Sequence, residues 1–483
     1  MSIAKKAVHG IAWVALSSTI VQVLNFITKI VLARLLAPED FGLLAIGLLA
    51  INAFDLFNDI GLGAALIYKK DDPDHTAANT AFLVLPFAAS FLFALSYLSA
   101  PYAALFFNNA AIDPILRILS LTFIISSFGT VPSKLLEKEL EFKKKIIPDT
   151  VSRVGYAAVA IWLALAGYGV WSLVYGQIAY VLLVVVFTWI VSDWRPTFRF
   201  NKIILKELSG YGKLILGVNI VLFLIYNIDN AIVGRMIGME ALGFYTIAYM
   251  ISNLPATQIT HLVERVMFPV YSKMQDDRAS LKRNYFKTLK YVSMLSVPAA
   301  FGIFVVAPDF VRIVLGEKWM PAVPVLQVLC FSGLARSISA TTGSIFQGTG
   351  RPDIFLKTSF LQLLTMVFLM FLLISRFGII GVGLAVTIPV IAQSIIRLYL
   401  VNRIVDINLN ELYVMMFQIF TGSIIMSISL FLLINRVFGM FHLQSFNILI
   451  LSVLSGGIIY AITLCFMDRN IIREIKQIIS NFV

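Results

Sequence analysis

Charge is scarce in this chain: only 13% of its 483 residues are Asp, Glu, Lys or Arg, against 59% hydrophobic, and the mean hydropathy is +0.89. An average soluble domain carries about 25% charged residues, so a water-soluble globule is excluded. Cysteine is scarcer still. Cys330 and Cys465 both lie in apolar runs, where a disulfide framework is not expected, and they read as packing residues. Catalytic motifs are missing: there is no GxxxxGK[ST] phosphate loop, HExxH pair or GxSxG elbow. Neither ATP-driven pumping by this chain nor those hydrolytic reactions is supported. The longest polar segments, 193–213 and 272–290, are too short to fold as a soluble domain.

What fills the chain instead is apolar helix. A hydrocarbon core about 30 Å thick needs roughly 20 apolar residues per helical span. Such runs fall near 11–33, 41–66, 80–99, 115–133, 147–166, 169–191, 209–234, 241–270, 288–307, 322–346, 355–375, 379–401, 412–434 and 446–467. They are continuously apolar rather than alternating, which favours an all-α polytopic membrane protein of about fourteen transmembrane helices over a β-barrel. The first run follows Lys5 and Lys6 like a signal peptide, but it is too long for one and lacks a cleavage site, so it is read as a span. Pro255 and Pro269 are expected to kink or break the helix that carries them.

The chain also repeats itself. Displaced by 201 positions, Arg34, Glu39, Gly42, Ile46 and Asn52 fall on Arg235, Glu240, Gly243, Ile247 and Asn253. Each copy is an apolar helix, a short turn and a second apolar helix. Six spans separate the copies, so both cross the membrane in the same sense, the arrangement in which substrate sites lie between halves. Gly169-Val170 before the sixth span recurs as Gly381-Val382 before the twelfth. The expected organisation is two pseudo-symmetric six-helix lobes, 1–200 and 201–405, followed by two further helices and a short tail, 406–483.

Lys and Arg collect in alternate loops, as they do on the cytoplasmic side. With both termini cytoplasmic, the outer loops hold only Arg34, Arg235, Arg312, Lys318, Arg376 and Arg436. The net charge of +12 is therefore a topology signal, with attraction to anionic membrane lipids as a secondary effect. Spread over many loops, these cations do not make a nucleic-acid surface.

Polar residues inside the spans fall on stripes. Ser18, Gln22, Asn25 and Lys29 share one face of the first span; Asn52, Asp55 and Asp59 share one face of the second. The second copy carries Asn219, Tyr226, Asp229 and Asn230, then Asn253, Thr257, Thr260, His261, Glu264 and Arg265. Ionisable groups at membrane depth are costly unless paired or hydrated, so the stripes predict an aqueous cavity. Bland readings compete. Arg34 and Arg235 at the turns read as snorkelling or helix-capping residues, and Lys29 is open to the same reading. His261 is either a proton carrier or a hydrogen-bonded packing residue. Arg117, Arg153 and Arg336 lie near span ends or polar turns.

Two runs then carry a family resemblance: Leu32-Ala33-Arg34-Leu35-Leu36-Ala37-Pro38-Glu39-Asp40-Phe41-Gly42 and Asp59-Ile60-Gly61-Leu62-Gly63-Ala64-Ala65-Leu66-Ile67. Further along come Asp229-Asn230-Ala231-Ile232-Val233-Gly234-Arg235, Leu242-Gly243-Phe244-Tyr245, Val266-Met267-Phe268-Pro269, Leu315-Gly316-Glu317-Lys318-Trp319 and Gln347-Gly348-Thr349-Gly350-Arg351-Pro352. In order and spacing the chain resembles the polysaccharide transporter family of Wzx-type oligosaccharide flippases, within the multidrug/oligosaccharidyl-lipid/polysaccharide exporter superfamily. It is most similar to the branch of colanic acid and teichuronic acid exporters.

The resemblance implies a monomer in a prokaryotic cytoplasmic (inner) membrane that turns an undecaprenyl-diphosphate-linked oligosaccharide to the outer leaflet, without a cofactor. Polysaccharide polymerase and glycosyltransferases are the implied partners. Lys29 and Arg265, with Arg117, Arg153 or Arg336, would meet the diphosphate; Gln22, Asn25, Asn219, Asn253 and Gln258 would bond sugar hydroxyls. Asp55, Asp59, Asp229, His261 and Glu264 would couple transport to H+ or Na+, latch conformations, or neutralise the cations. The competing readings are a multidrug or small-metabolite antiporter of the same superfamily, a membrane glycosyltransferase or polymerase, and a non-transporting scaffold.

Overall fold

The computed structural model describes residues 20–56, 66, 75–438 and 445–467, with side chains outside 142, 205–219, 257–262 and 264–266. The regular structure among these residues is helical, and nine helical stretches are long and apolar enough to cross a membrane. In chain order the helices are α1 (20–35), α2 (Pro38–Asp55), α3 (Thr76–Phe106), α4 (Ile112–Leu119), α5 (Leu121–Lys138), α6 (Phe142–Leu165), α7 (Val170–Val191) and α8 (Lys202–Met236). They continue as α9 (Met239–Ser252), α10 (Leu254–Lys273), α11 (Arg278–Phe310), α12 (Val323–Gly348), α13 (Pro352–Val405), α14 (Leu409–Leu432) and α15 (Ser445–Met467). The chain divides into two compact units, Met1–Gly243 and Phe244–Val483.

In the first unit the repeat turn is built locally. Pro38 occupies the first turn of α2, where a missing N–H costs nothing, and Asp40 Oδ2 accepts the Ala37 N–H at 2.9 Å. Both copies of the turn then meet. A Cβ on Gly42 would overlap the Met239 carbonyl oxygen, and a Cβ on Gly243 would overlap the Pro38 carbonyl oxygen. Glycine at the same place in each repeat thus lets the two turns touch backbone to backbone.

The span expected at 115–133 is two helices, α4 and α5, meeting at Ser120. Behind α7 the chain leaves helical geometry and is pinned to the start of α3. The Thr197 N–H donates to Asn79 Oδ1 at 2.8 Å and the Asn201 N–H to Thr80 Oγ1 at 3.1 Å. Trp194 is buried beside Phe82, Trp189 and Leu135.

In the second unit the expected break falls between α9 and α10, at Asn253. Pro255 lies in the first turn of α10, where it is tolerated, whereas Pro269 stays inside the helix without ending it. The expected spans 355–375 and 379–401 are the two arms of α13, joined at Gly378. Gly378 has φ 55° and ψ −132°, and Gly169, ahead of α7, has φ 54° and ψ −133°. The conformational counterpart of Gly169 is therefore Gly378, not Gly381 as the shared Gly-Val dipeptide implies, because what recurs is a left-handed link between helices. Gly381 serves close packing instead: a Cβ there would strike the Leu373 carbonyl.

Hydroxyls fill much of the packing between α12 and the second arm of α13. Ser339 and Ser394 share a hydrogen bond of 2.7 Å, and Thr387 donates to the Val328 carbonyl at 3.2 Å. Small and hydroxylated residues suit helices that associate without a hydrophobic driving force.

Candidate functional site

Among the described residues, two of the sequence candidates in the first unit, Lys29 and Arg153, come within electrostatic reach of each other. Lys29 is exposed on α1, and Arg153 lies on α6. Arg153 is held by α7: its guanidinium sits over the Tyr180 ring, 4.1 Å from the centroid. Close helix packing makes this possible, since Gly176 of α7 faces Ala160 and Tyr156 of α6 with no room for a larger side chain. The face of a tyrosine ring attracts a cation without neutralising it. Arg153 Nε is buried and makes no hydrogen bond among the described residues.

One carboxylate is nearby. Asp149 precedes Arg153 by one turn on α6, and the two interact electrostatically. Tyr156 also feels the Arg153 charge. The cluster therefore offers two cations from different helices, one of them with a buried Nε that makes no hydrogen bond among the described residues. An arginine fork and a lysine ammonium together match an anion with several oxygens, such as a phosphate ester.

The other candidates are placed differently. Arg117 Nε pairs with Asp113 Oδ1 at 2.8 Å, its Nη1 donates to the Tyr97 hydroxyl at 3.3 Å, and it stacks over the Tyr97 ring. It thereby ties α4 to α3. Asn25 and Gln22 lie on α1 one and two turns before Lys29 and are half-buried. Asp55 is exposed at the end of α2. Asp229 is buried in α8, and its Oδ1 accepts the Asn230 N–H at 2.8 Å. Asn253 is buried at the break before α10 and donates to the Tyr249 carbonyl at 2.9 Å, which makes it part of the bend. Arg336, on α12, lies over the Tyr249 ring at 5.2 Å. Arg235 lies over Phe106 at 5.6 Å, in keeping with its reading as a structural residue at the turn. Asp59 falls outside the described residues, as do the side chains of Asn219, Gln258, His261, Glu264 and Arg265.

Tyr156, Tyr180 and Asp149 of the cluster escape a reading of polar stripes. Tyr156 and Tyr180 are aromatic residues among many, with no spacing that marks them. Asp149 and Arg153 do carry a signal, the i, i+4 spacing of opposite charges on one helix face. Arg397 in the second unit is also unexpected. It is buried within α13, where Nε donates to Thr358 Oγ1 at 2.9 Å and Nη2 to Ser359 Oγ at 2.7 Å and the Phe355 carbonyl at 3.2 Å. Its guanidinium stacks on the Phe355 ring at 4.1 Å, so it clamps the two arms of α13 together.

Known proteins share this architecture and sequence. The chain is 28% identical to the lipopolysaccharide biosynthesis protein WzxC of Escherichia coli (strain K12), over 83% of this chain and 82% of that one. It is 27% identical to the teichuronic acid biosynthesis protein TuaB of Bacillus subtilis (strain 168), over 95% of each. The fold matches lipid II flippase MurJ in an inward closed conformation, with a TM-score of 0.76 at 16% identity, over 95% of this chain and 99% of that one. Residues 31–324, more than half of the chain, match a family described as polysaccharide biosynthesis protein. This chain is a member of that polysaccharide biosynthesis protein family.

Proposed function

We propose that the chain is a flippase that moves a polyprenyl-diphosphate-linked oligosaccharide across the cytoplasmic membrane for surface polysaccharide synthesis. The observation that carries this reading is two cations on separate helices, with Lys29 inside the electrostatic reach of Arg153, whose Nε makes no hydrogen bond among the described residues. Like charges held near each other at membrane depth repel. An anion spanning both would relieve that repulsion, and the cargo's diphosphate has the charge and oxygens to do so.

A diphosphate with a hydrated sugar chain cannot cross hydrocarbon cheaply, so a polar path that replaces its hydration is the essential service. Gln22 and Asn25 continue the Lys29 face and would bond sugar hydroxyls. Family membership and the shared fold support this assignment over a membrane glycosyltransferase or polymerase. The chain has no catalytic step to perform; it works by alternating access, as a monomer with both termini cytoplasmic. Partners that make or polymerise the repeat unit would supply and consume the cargo. Asp55 and Asp229 would serve H+ or Na+ coupling or latch conformations.

Deletion in the native host tests the assignment. Lipid-linked repeat units should accumulate on the inner leaflet and surface polysaccharide should fall. Normal surface polysaccharide combined with lost drug tolerance would point to an antiporter instead. Sugar transfer by the purified chain would point to an enzyme.

A further inference from the structure

The residues that follow α7 form a second feature, unrelated to cargo. Asp193, the acid at the beginning of the segment, pairs with Lys144 at 2.6 Å, and Lys144 also meets Glu141 at 2.8 Å. From Trp194 to Ile204 the chain then carries Arg195, Arg199 and Lys202 and no acid. The segment is not loose. Trp194 is buried, Asn79 and Thr80 hold the backbone at Thr197 and Asn201, and Asn201 Oδ1 caps α8 by accepting the Ile203 and Ile204 N–H groups. Yet from this fixed backbone Phe198 stands 96% exposed, Ile203 80% and Phe200 56%.

A fixed scaffold that displays large apolar side chains among unopposed cations is poorly suited to water. It begins just beyond Val191, the end of a helix long and apolar enough to cross a membrane, and chain leaving such a helix enters the headgroup layer. Aromatic residues favour that depth, and each Lys or Arg near an anionic surface is attracted to lipid phosphates. We infer that residues 194–203 form an interfacial foot that binds anionic phospholipid, with Phe198, Phe200 and Ile203 entering the headgroup layer and Arg195, Arg199 and Lys202 meeting phosphates. The foot anchors the end of α7 and the beginning of α8 to the adjoining leaflet, and it acts whether or not the cargo assignment is right.

The test uses the full chain with Cys330→Ala and Cys465→Ala and a nitroxide on Phe198→Cys, in nanodiscs of phosphatidylcholine with or without phosphatidylglycerol. Collisions with oxygen should exceed those with a water-soluble nickel chelate, and phosphatidylglycerol should increase the inserted population by roughly fivefold per cation. The combined Arg195→Gln, Arg199→Gln and Lys202→Gln variant should abolish that increase. A second label on Phe91→Cys, an exposed position inside the α3 span, should be unchanged and report an intact fold. Three results would overturn the inference: a Phe198 label more accessible to nickel than to oxygen, a label immobilised and shielded from both by a protein surface, or a phosphatidylglycerol response that survives loss of the three cations.

Discussion

Gly42 and Gly243 occupy equivalent places in the two copies of the repeat, and each lies against the backbone of the other copy's turn, at the carbonyls of Met239 and Pro38. The sequence identity of the turns therefore has a packing cause. Neither glycine can gain a Cβ unless two helix ends separate.

Gly42→Ala and Gly243→Ala should each destabilise the protein by about 1–3 kcal/mol, the usual cost of overpacking. Gly457, inside α15 with nothing near its absent Cβ, supplies the control, and Gly457→Ala should stabilise by up to about 1 kcal/mol. Thermal unfolding of the three variants in one detergent checks this; equal melting temperatures would contradict it.

Tyr180 orients Arg153 through its ring face, so the ring matters and the hydroxyl does not. Tyr180→Phe should transport normally. Tyr180→Ala should weaken cargo binding by roughly 2- to 30-fold, the range of a partly desolvated cation–π contact. Titration of both variants with a short-chain polyprenyl diphosphate separates the two cases.

Arg397 joins the arms of α13 by three hydrogen bonds and a ring stack. Arg397→Lys keeps the charge but loses the planar fork, and should still cost about 1–3 kcal/mol by stranding Thr358 or Ser359. Arg397→Met should cost at least as much. Unfolding temperatures of the two variants test whether the fork, rather than the charge alone, holds the clamp.

The order of helices was legible because each span is a long apolar run, and the repeat was legible because its turns share Arg, Glu and Gly at fixed offsets. The stripe carrying Gln22, Asn25 and Lys29 was legible for the same reason: positions on one helix follow from spacing. Which helices meet does not follow from spacing. Lys29 and Arg153 are 124 positions apart in the numbering, and only packing brings one to the other. Nor does residue type show whether a charge is already satisfied. Arg117 and Arg153 look alike in sequence, but Asp113 pairs with the first while Tyr180 merely faces the second. The Gly-Val dipeptide misled because two letters match by chance more readily than a left-handed link recurs.

At the foot, the Lys144 ammonium bonded to Asp193 holds its carboxyl below the usual carboxylate range. A lowered folded pKa stabilises above the unfolded value, near 3.9, and that contribution is lost as pH falls through the lowered one. Amide exchange at Thr197 should therefore be equally protected, after correction for intrinsic rates, from about pH 6 to 8. Asp193→Asn should accelerate it by less than about threefold, because exposed ion pairs are weak.

Flipping of a fluorescent polyprenyl-diphosphate-linked oligosaccharide in proteoliposomes tests the central claim most directly. Arg153→Ala and Lys29→Ala should each reduce the rate by roughly tenfold or more, the worth of a charge-assisted hydrogen bond, with Lys29→Arg near wild type and protein incorporation unchanged. Wild-type flipping by both alanine variants would contradict the assignment of the Lys29–Arg153 pair to the diphosphate.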